Sequence, residues 1–172
     1  MNRIPIMPRE PGTDDVISVR NQGNNVQILV LHGPNLNLLG RREPHIYGTT
    51  TLAEINSKLT ALAATLGVQV DSFQSNHEGA LIDKLHEYID RADGALINPA
   101  GLTQYGVPLH DAIKTMPFPV IEIHLSNLAK REEWRHRSII SPVANATVQG
   151  LGWRSYTTAF TALVEMLRET AG

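Results

Sequence analysis

ILVLHGPNLNLLGRREPHIYG, residues 28–48, is the stretch on which the rest of the chain is organised. Ile28-Leu29-Val30-Leu31 is an uncharged apolar run, the pattern of a strand buried on both faces. It breaks at Gly33-Pro34 into a polar loop carrying Asn35, Asn37, Arg41, Arg42 and Tyr47. Gly40, Pro44 and Gly48 punctuate that loop with turns. A helix follows from Thr51. An apolar strand running into a cationic loop and then a helix places this chemistry at the carboxyl edge of a parallel sheet, where open α/β folds bind ligands.

Outward from that stretch, strands and helices alternate. Thr51 stands at an N-cap with Glu54 three residues on, a capping-box spacing. Leu52, Ile55, Leu59, Leu62, Ala63 and Leu66 share one face of the helix, and Gly67 ends it. A strand is expected over Val68–Phe73, and a second helix over Glu78–Ala92 with Leu81, Ile82, Leu85 and Ile89 inward. Ala95-Leu96-Ile97 is a short buried strand closed by Asn98-Pro99. A third helix runs Leu109–Met116, stopped by Pro117 and Pro119. Val120–Leu125 is a fourth strand, followed by a short helix near Glu132–Arg137. A fifth strand near Thr147–Gln149 and a last helix over Tyr156–Thr170 complete the chain. This alternation implies a doubly wound five-stranded parallel sheet with helices on both faces, in the flavodoxin-like order 2-1-3-4-5. That order makes strands 1, 3 and 4 neighbours, so Asn35, Asn98 and His124 meet in one crevice beneath Arg42 and Tyr47. Glu122, two residues before His124 on the same strand face, can orient its imidazole.

Composition removes other classes of function. The chain has 172 residues, enough for one domain with its own core. It has no cysteine, which excludes disulfides, thiol nucleophiles and thiolate metal sites. Fifteen basic and 17 acidic residues give a net charge of −2, with no electrostatic footprint for nucleic acid or a membrane surface. Apolar runs are too short for a membrane span, and the N-terminus lacks a signal peptide's apolar core, so a soluble cytoplasmic protein is expected. Residues 1–25, rich in Pro, Gly, Asn and charge, read as an extension outside a single catalytic domain over 26–172. Within the extension, Val16–Val19 suggests a short edge strand. No histidines stand at ligand spacing, so no metal is expected. Gly150-Leu151-Gly152 lacks the third glycine of a dinucleotide fingerprint and reads as a tight turn.

GPNLNLLGRREPHIYG resembles the first signature of the type II 3-dehydroquinases. QSNHEGALIDKLHEY at 74–88, INP…VPLHDAI within 97–113, EIHLSNLAKREEWRHRS at 122–138 and SPVA…GLG within 141–152 extend the resemblance over essentially all of the chain after residue 26. It implies a cofactor-free, flavodoxin-like homo-oligomer, a dodecamer. The reaction implied is dehydration of 3-dehydroquinate to 3-dehydroshikimate by anti elimination through an enolate. Such chemistry needs a base for a proton α to a ketone, a stabiliser for the enolate oxygen, and an acid for the leaving hydroxyl.

The resemblance assigns the base to Tyr47 and the general acid to His124, with Glu122 behind it. Asn35 matches the residue that holds a water on the enolate, and Arg42 the essential arginine. A tyrosine is a poor base at neutral pH unless a cation stabilises its phenolate, and Arg42 is the expected cation. Leu125 and Ser126 match positions that grip the substrate carboxylate, and Asn98 and Arg135 positions that bind ring hydroxyls. Asp111 matches an aspartate that reaches an adjacent subunit's site. The third signature departs from the family: Gln104 replaces a ring-binding histidine, Gly106 a serine, Pro108 an alanine and His110 an arginine. Ala146-Thr147 and Ser155 depart near the fifth strand and are expected to matter only for packing. The competing readings are a relative acting on another cyclic hydroxy-ketone acid, and an inactive oligomeric scaffold. An FMN module would need a Ser/Thr-rich loop after strand 1, and a receiver domain acidic residues there. GPNLNLLG has no such Ser/Thr run, and no Asp or Glu occurs from Val16 to Arg42.

Overall fold

The computed structural model describes residues 26–170. The possible edge strand at Val16–Val19 lies outside them. Five parallel strands, β1 (Gln27–His32), β2 (Gln69–Gln74), β3 (Gly94–Asn98), β4 (Val120–His124) and β5 (Ala146–Gln149), form one sheet in the order β2-β1-β3-β4-β5. Five helices accompany them: α1 (Pro44–Tyr47), α2 (Leu52–Leu66), α3 (Glu78–Glu87), α4 (Val107–Lys114) and α5 (Arg154–Thr170). The doubly wound order expected from the alternation is the one observed.

The unbroken apolar character of β1 follows from burial on both sides. Ile28 and Val30 join Leu96, Ile121 and Ile123 in a core closed by Ile55 and Leu59 of α2 and by Phe160 and Leu163 of α5. Leu29 and Leu31 face the opposite way, into a second core with Ile97, Leu81 and Leu85 of α3, and Leu109 and Ile113 of α4. Each fully buried Leu or Ile contributes about 1.5–3 kcal/mol. The two-sided core therefore fixes the register: a one-residue slip would exchange the faces of every side chain. The capping box at Thr51 and Glu54 is present, and Gly67 closes α2 in a left-handed conformation with φ 67°.

Two segments differ from expectation. α3 stops at Glu87 rather than Ala92, and Ile89 is exposed rather than inward. After Glu87 the amides of Tyr88 and Ile89 bond three residues back, to Leu85 and His86, so the helix tightens and unwinds. Meanwhile the Tyr88 hydroxyl is anchored on Asp71 of β2. The helix expected near Glu132–Arg137 is instead a pair of 3₁₀ turns, Leu128–Lys130 and Glu133–Arg135. This segment has no apolar stripe to bury, and side chains organise it: Asn127 caps the Ala129 amide, and the His136 ring bonds the Arg131 carbonyl.

At the carboxyl edge β1 and β3 approach closely. The Gly33 amide donates to the Asn98 carbonyl at 2.8 Å, and a Cβ on Gly33 would lie 2.5 Å from the Pro99 carbonyl oxygen. Only glycine fits there. Just before it, His32 is fully buried, its Nδ1 2.9 Å from the Tyr156 hydroxyl and its Nε2 2.9 Å from Asn56 Oδ1. Burial pushes the His32 pKa down to about 4, the bond to Asn56 opposing only part of the effect. The unfolded chain takes up a proton near pH 6.5, whereas the folded one resists until about 4. Stability should therefore be full above pH 6.5 and fall as the pH drops through that window, by about 3 kcal/mol for a shift of this size. Denaturant midpoints measured between pH 7.5 and 4.5 should slope steeply in the wild type and flatten in His32→Gln. Equal slopes would remove His32 as the cause.

Candidate active site

A cavity of about 260 Å³ opens at the carboxyl ends of β1, β3 and β4, near the lower end of the roughly 300–1,000 Å³ range for ligand pockets. Its size suits a compact metabolite better than a dinucleotide. Asn35, Arg42 and Tyr47 line it from the segment after β1, and Asn98 and Gln104 from the end of β3 and the turn beyond. His124, Leu125, Ser126 and Arg135 line it from β4 and its following loop. Asn35 holds a left-handed conformation (φ 66°) that asparagine tolerates, and its amide donates to Asn76 Oδ1 at 2.8 Å.

Two candidates lie elsewhere. Glu122 is fully buried behind His124 and does not line the cavity. Asp111 projects from α4, exposed, and accepts from the His110 ring at 2.9 Å. It does not line this chain's cavity.

Tyr47 meets a cation, and the nearest is Arg131. Arg131 Nη1 donates to the Tyr47 hydroxyl at 3.0 Å and to Ser126 Oγ at 3.2 Å. Arg42 lies with its guanidinium carbon 5.9 Å from the Tyr47 ring centre, and its Nε donates to Glu43 at 3.1 Å. The Arg131 side chain is only 10% exposed against 39% for Arg42, so its charge is less screened by water. Arg131 was not among the sequence candidates. It stands five residues after Ser126 within the fourth signature, at the same sheet edge, and that placement was the available signal.

The imidazole of His124 is held from behind. Its Nε2 donates to Glu122 Oε1 at 2.8 Å, which leaves Nδ1 as the other nitrogen of a cavity-lining ring. Glu122 also accepts from Ser138 Oγ at 2.8 Å, from Ser141 Oγ, and from Thr147 Oγ1 at 3.4 Å. Every partner is a donor, which suits an ionised carboxylate. Burial pulls the Glu122 pKa upward, but the hydrogen bonds and charge of His124, with the bonds from Ser141 and Ser138, outweigh it and leave it lowered. Thr147 and Ser141, neither a sequence candidate, thus support the acid side of the site.

Gln104 donates through Nε2 to the Arg135 carbonyl at 3.3 Å, while its Oε1 is buried with no protein partner. Two exposed aromatics, Tyr105 and Trp134, also line the cavity, and the Arg135 guanidinium stacks 3.9 Å over the Trp134 ring. Among the described residues no group of three or more His, Asp or Glu side chains is placed to hold a metal, and no helix is long and apolar enough to cross a membrane.

Fold and cavity together define a flavodoxin-like α/β protein with a tyrosine–arginine pair and a histidine–carboxylate pair at the topological switch point of its sheet. The model of the family described as dehydroquinase class II matches residues 26–164. A 3-dehydroquinate dehydratase of Roseiflexus castenholzii is 53% identical over 147 residues, covering 86% of this chain and 91% of the relative. One of Nostoc is 50% identical over 143 residues, covering 83% and 97%. The type II dehydroquinase structure from Butyrivibrio crossotus superposes with a TM-score of 0.80 at 38% identity, covering 85% of this chain and 99% of that one. The corresponding structure from Propionibacterium acnes gives 0.78 at 41% identity, covering 81% and 96%. The chain belongs to the class II dehydroquinase family.

Proposed function

We infer that this chain is a type II 3-dehydroquinate dehydratase, a hydro-lyase that removes water from 3-dehydroquinate to give 3-dehydroshikimate. The observation that carries the mechanism is the Tyr47 hydroxyl held by the half-buried Arg131 guanidinium in the cavity that His124 also lines. Tyr47, as phenolate, takes the proton α to the ketone. Arg131 stabilises that phenolate, with Arg42 adding positive charge near the ring. Asn35 holds the water that donates to the enolate oxygen. His124, charged against Glu122, protonates the leaving hydroxyl. Leu125 and Ser126 grip the substrate carboxylate, and Asn98, Gln104 and Arg135 meet the ring hydroxyls. No cofactor takes part. The named relatives do not favour a different hydroxy-ketone acid as substrate. Incubating the purified protein with 3-dehydroquinate should produce the conjugated enone absorbance of the product. Its absence in a folded, correctly assembled preparation would overturn the reading and favour a scaffold.

The same reading includes a cytoplasmic homo-oligomer, a dodecamer, in which Asp111 of one subunit reaches a neighbour's site. The exposed Tyr105 just before α4 and Val107 at its start, with Asp111 exposed and outside its own cavity, support it. Light scattering on the active protein tests it, and a fully active monomer would exclude the shared site.

At Gln104 the unpartnered Oε1 calls for a donor, which a substrate hydroxyl supplies. Because a neutral hydrogen bond is worth about 0.5–1.5 kcal/mol, Gln104→His should lower KM by no more than about tenfold and leave kcat nearly unchanged. Little response to the reversion, with poor turnover in both forms, would indicate that the loop is shaped for another ligand.

A further inference from the structure

We propose that Asn76 is a positioning residue: its side-chain oxygen, braced by Gln74, holds the backbone of Asn35 in the left-handed conformation that keeps the Asn35 amide free for the reaction. The proposal rests on the reading of Asn35 as the holder of the water on the enolate oxygen. No residue of QSNHEGALIDKLHEY, 74–88, lines the cavity. Its first three residues nevertheless meet the loop after β1, because β2 is the strand beside β1 in the sheet. The Ser75 amide donates to the His32 carbonyl at 3.0 Å, which carries the parallel pairing one residue past the strand ends. Asn76 thereby stands beside the turn Gly33-Pro34-Asn35.

Three hydrogen bonds join the two segments there. The Asn35 amide donates to Asn76 Oδ1 at 2.8 Å. Gln74 Nε2 donates to the same oxygen at 3.1 Å and to the Gly33 carbonyl at 3.3 Å. Each side-chain amide fixes the orientation of the other. Turned over, Asn76 would set its NH2 against two donors, and Gln74 would set its oxygen against the Gly33 carbonyl. On the far side, the Gly33 amide is bound to the Asn98 carbonyl at 2.8 Å, and Pro34 has no amide to satisfy. The turn is gripped from β3 on one side and from the end of β2 on the other.

That grip decides how the Asn35 side chain is used. Asn35 stands at the N-cap of the 3₁₀ turn Leu36–Leu38. An asparagine there ordinarily has an extended backbone and spends its side-chain oxygen on an amide of the turn. Here the backbone is left-handed, with φ 66° and ψ 0°, and the side chain makes no cap bond. The residue instead lines the cavity together with Tyr47 and His124. A residue other than glycine keeps such a conformation only where its surroundings hold it. Released from Asn76, Asn35 can relax to the extended form and spend its oxygen as a cap, at the expense of the water.

The test is steady-state turnover of 3-dehydroquinate by variants of the assembled enzyme. Asn76 is exposed, so Asn76→Ala opens no cavity in the core. It should lower kcat by about two- to tenfold, the worth of one neutral hydrogen bond, and leave KM within about twofold, because the enolate exists only after the base has acted. Asn76→Asp keeps an acceptor oxygen in the same place and should recover most of the lost rate. A loss as large as that of the alanine variant would overturn the proposal. Asn35→Gly removes the side-chain amide and keeps the left-handed backbone without strain. In that background Asn76→Ala should leave kcat unchanged, since no side chain remains to be aimed. The same proportional loss in both backgrounds would mean a purely structural role and would overturn the proposal. If Asn35→Gly has the wild-type kcat, Asn35 takes no part in the reaction, and the proposal falls together with that assignment. If Asn35→Gly loses rate while Asn76→Ala does not, the positioning role alone is overturned. A wild-type protein without turnover would overturn the proposed function and this role with it.

Discussion

Tyr47→Phe should eliminate turnover while leaving fold and substrate binding largely intact. The substitution removes one oxygen from a side chain that is only partly buried, so packing changes little. What disappears is the sole proton acceptor proposed for the α-carbon, and acid–base groups of this kind are worth about 10²–10⁴ in rate. The size of the effect depends on how much phenolate the site maintains at neutral pH. A guanidinium in contact with the hydroxyl is the group that favours the phenolate over the neutral phenol. Arg131 meets that requirement better than Arg42, because it donates directly to the hydroxyl and is largely withdrawn from water. Arg131→Met should therefore lower kcat and move the pH optimum upward, as the phenolate becomes harder to form. Arg42→Ala should cost less rate and move the optimum less. The reverse ranking would return the role to Arg42, and full activity in Tyr47→Phe would remove Tyr47 from the mechanism. Isothermal titration with 3-dehydroquinate on Tyr47→Phe separates lost chemistry from lost binding.

The contrast between those two arginines shows where the sequence was legible. β1 reads directly, because a strand buried on both faces must be uncharged, and Ile28 to Leu31 has no other comfortable place. Five strands separated by helices leave few parallel topologies, and strand ends then bring Asn98 and His124 to one edge. The capping box at Thr51 is equally local and was equally readable. Arg131 is different in kind. Its contact with Tyr47 spans 84 residues and depends on the path of a polar loop built from two 3₁₀ turns, which carries no apolar period to interpret. The helix expected near Glu132–Arg137 has no such period behind it, and side-chain bonds shape two short turns there instead. Ile89 misled for a related reason: the helical spacing continues to it, but the backbone leaves the helix one residue earlier, at Tyr88, whose ring is buried and tied to Asp71. Gln104 marks the boundary between the two kinds of information. Its departure from the family pattern was visible in sequence, whereas the commitment of its amide to the Arg135 carbonyl, leaving an acceptor, required coordinates.

On the opposite side of the reaction, His124→Ala should lose about 10²–10⁴-fold in kcat with a much smaller change in KM, since the leaving hydroxyl would depart unprotonated. A change in KM alone would move His124 from acid to binding group. Glu122→Gln is the more discriminating variant. In the folded protein the carboxylate accepts from His124, Ser138, Ser141 and Thr147, and its lowered pKa keeps it charged at neutral pH. An imidazolium at position 124 is thereby paired with an anion that is shielded from solvent. The glutamine retains an oxygen for His124 Nε2–H but removes the charge and introduces an N–H among hydroxyls that now donate. Two effects should follow. The alkaline limb of the kcat profile should move to lower pH, because the protonated imidazole loses its counter-ion. Stability should also fall by about 1–3 kcal/mol, the cost of setting a donor against committed donors in a buried site. The wild type should show the complementary behaviour in acid. With a folded pKa below the ordinary value, the stabilisation from Glu122 is present above about pH 4.5 and is lost as the pH falls further, a window below that of His32. Serine-to-alanine changes at Ser138 and Ser141 should narrow that loss without moving the kcat profile as far as Glu122→Gln does. If Glu122→Gln leaves the alkaline limb where it was, the carboxylate only shapes the pocket, and His124 acts as an acid without its help.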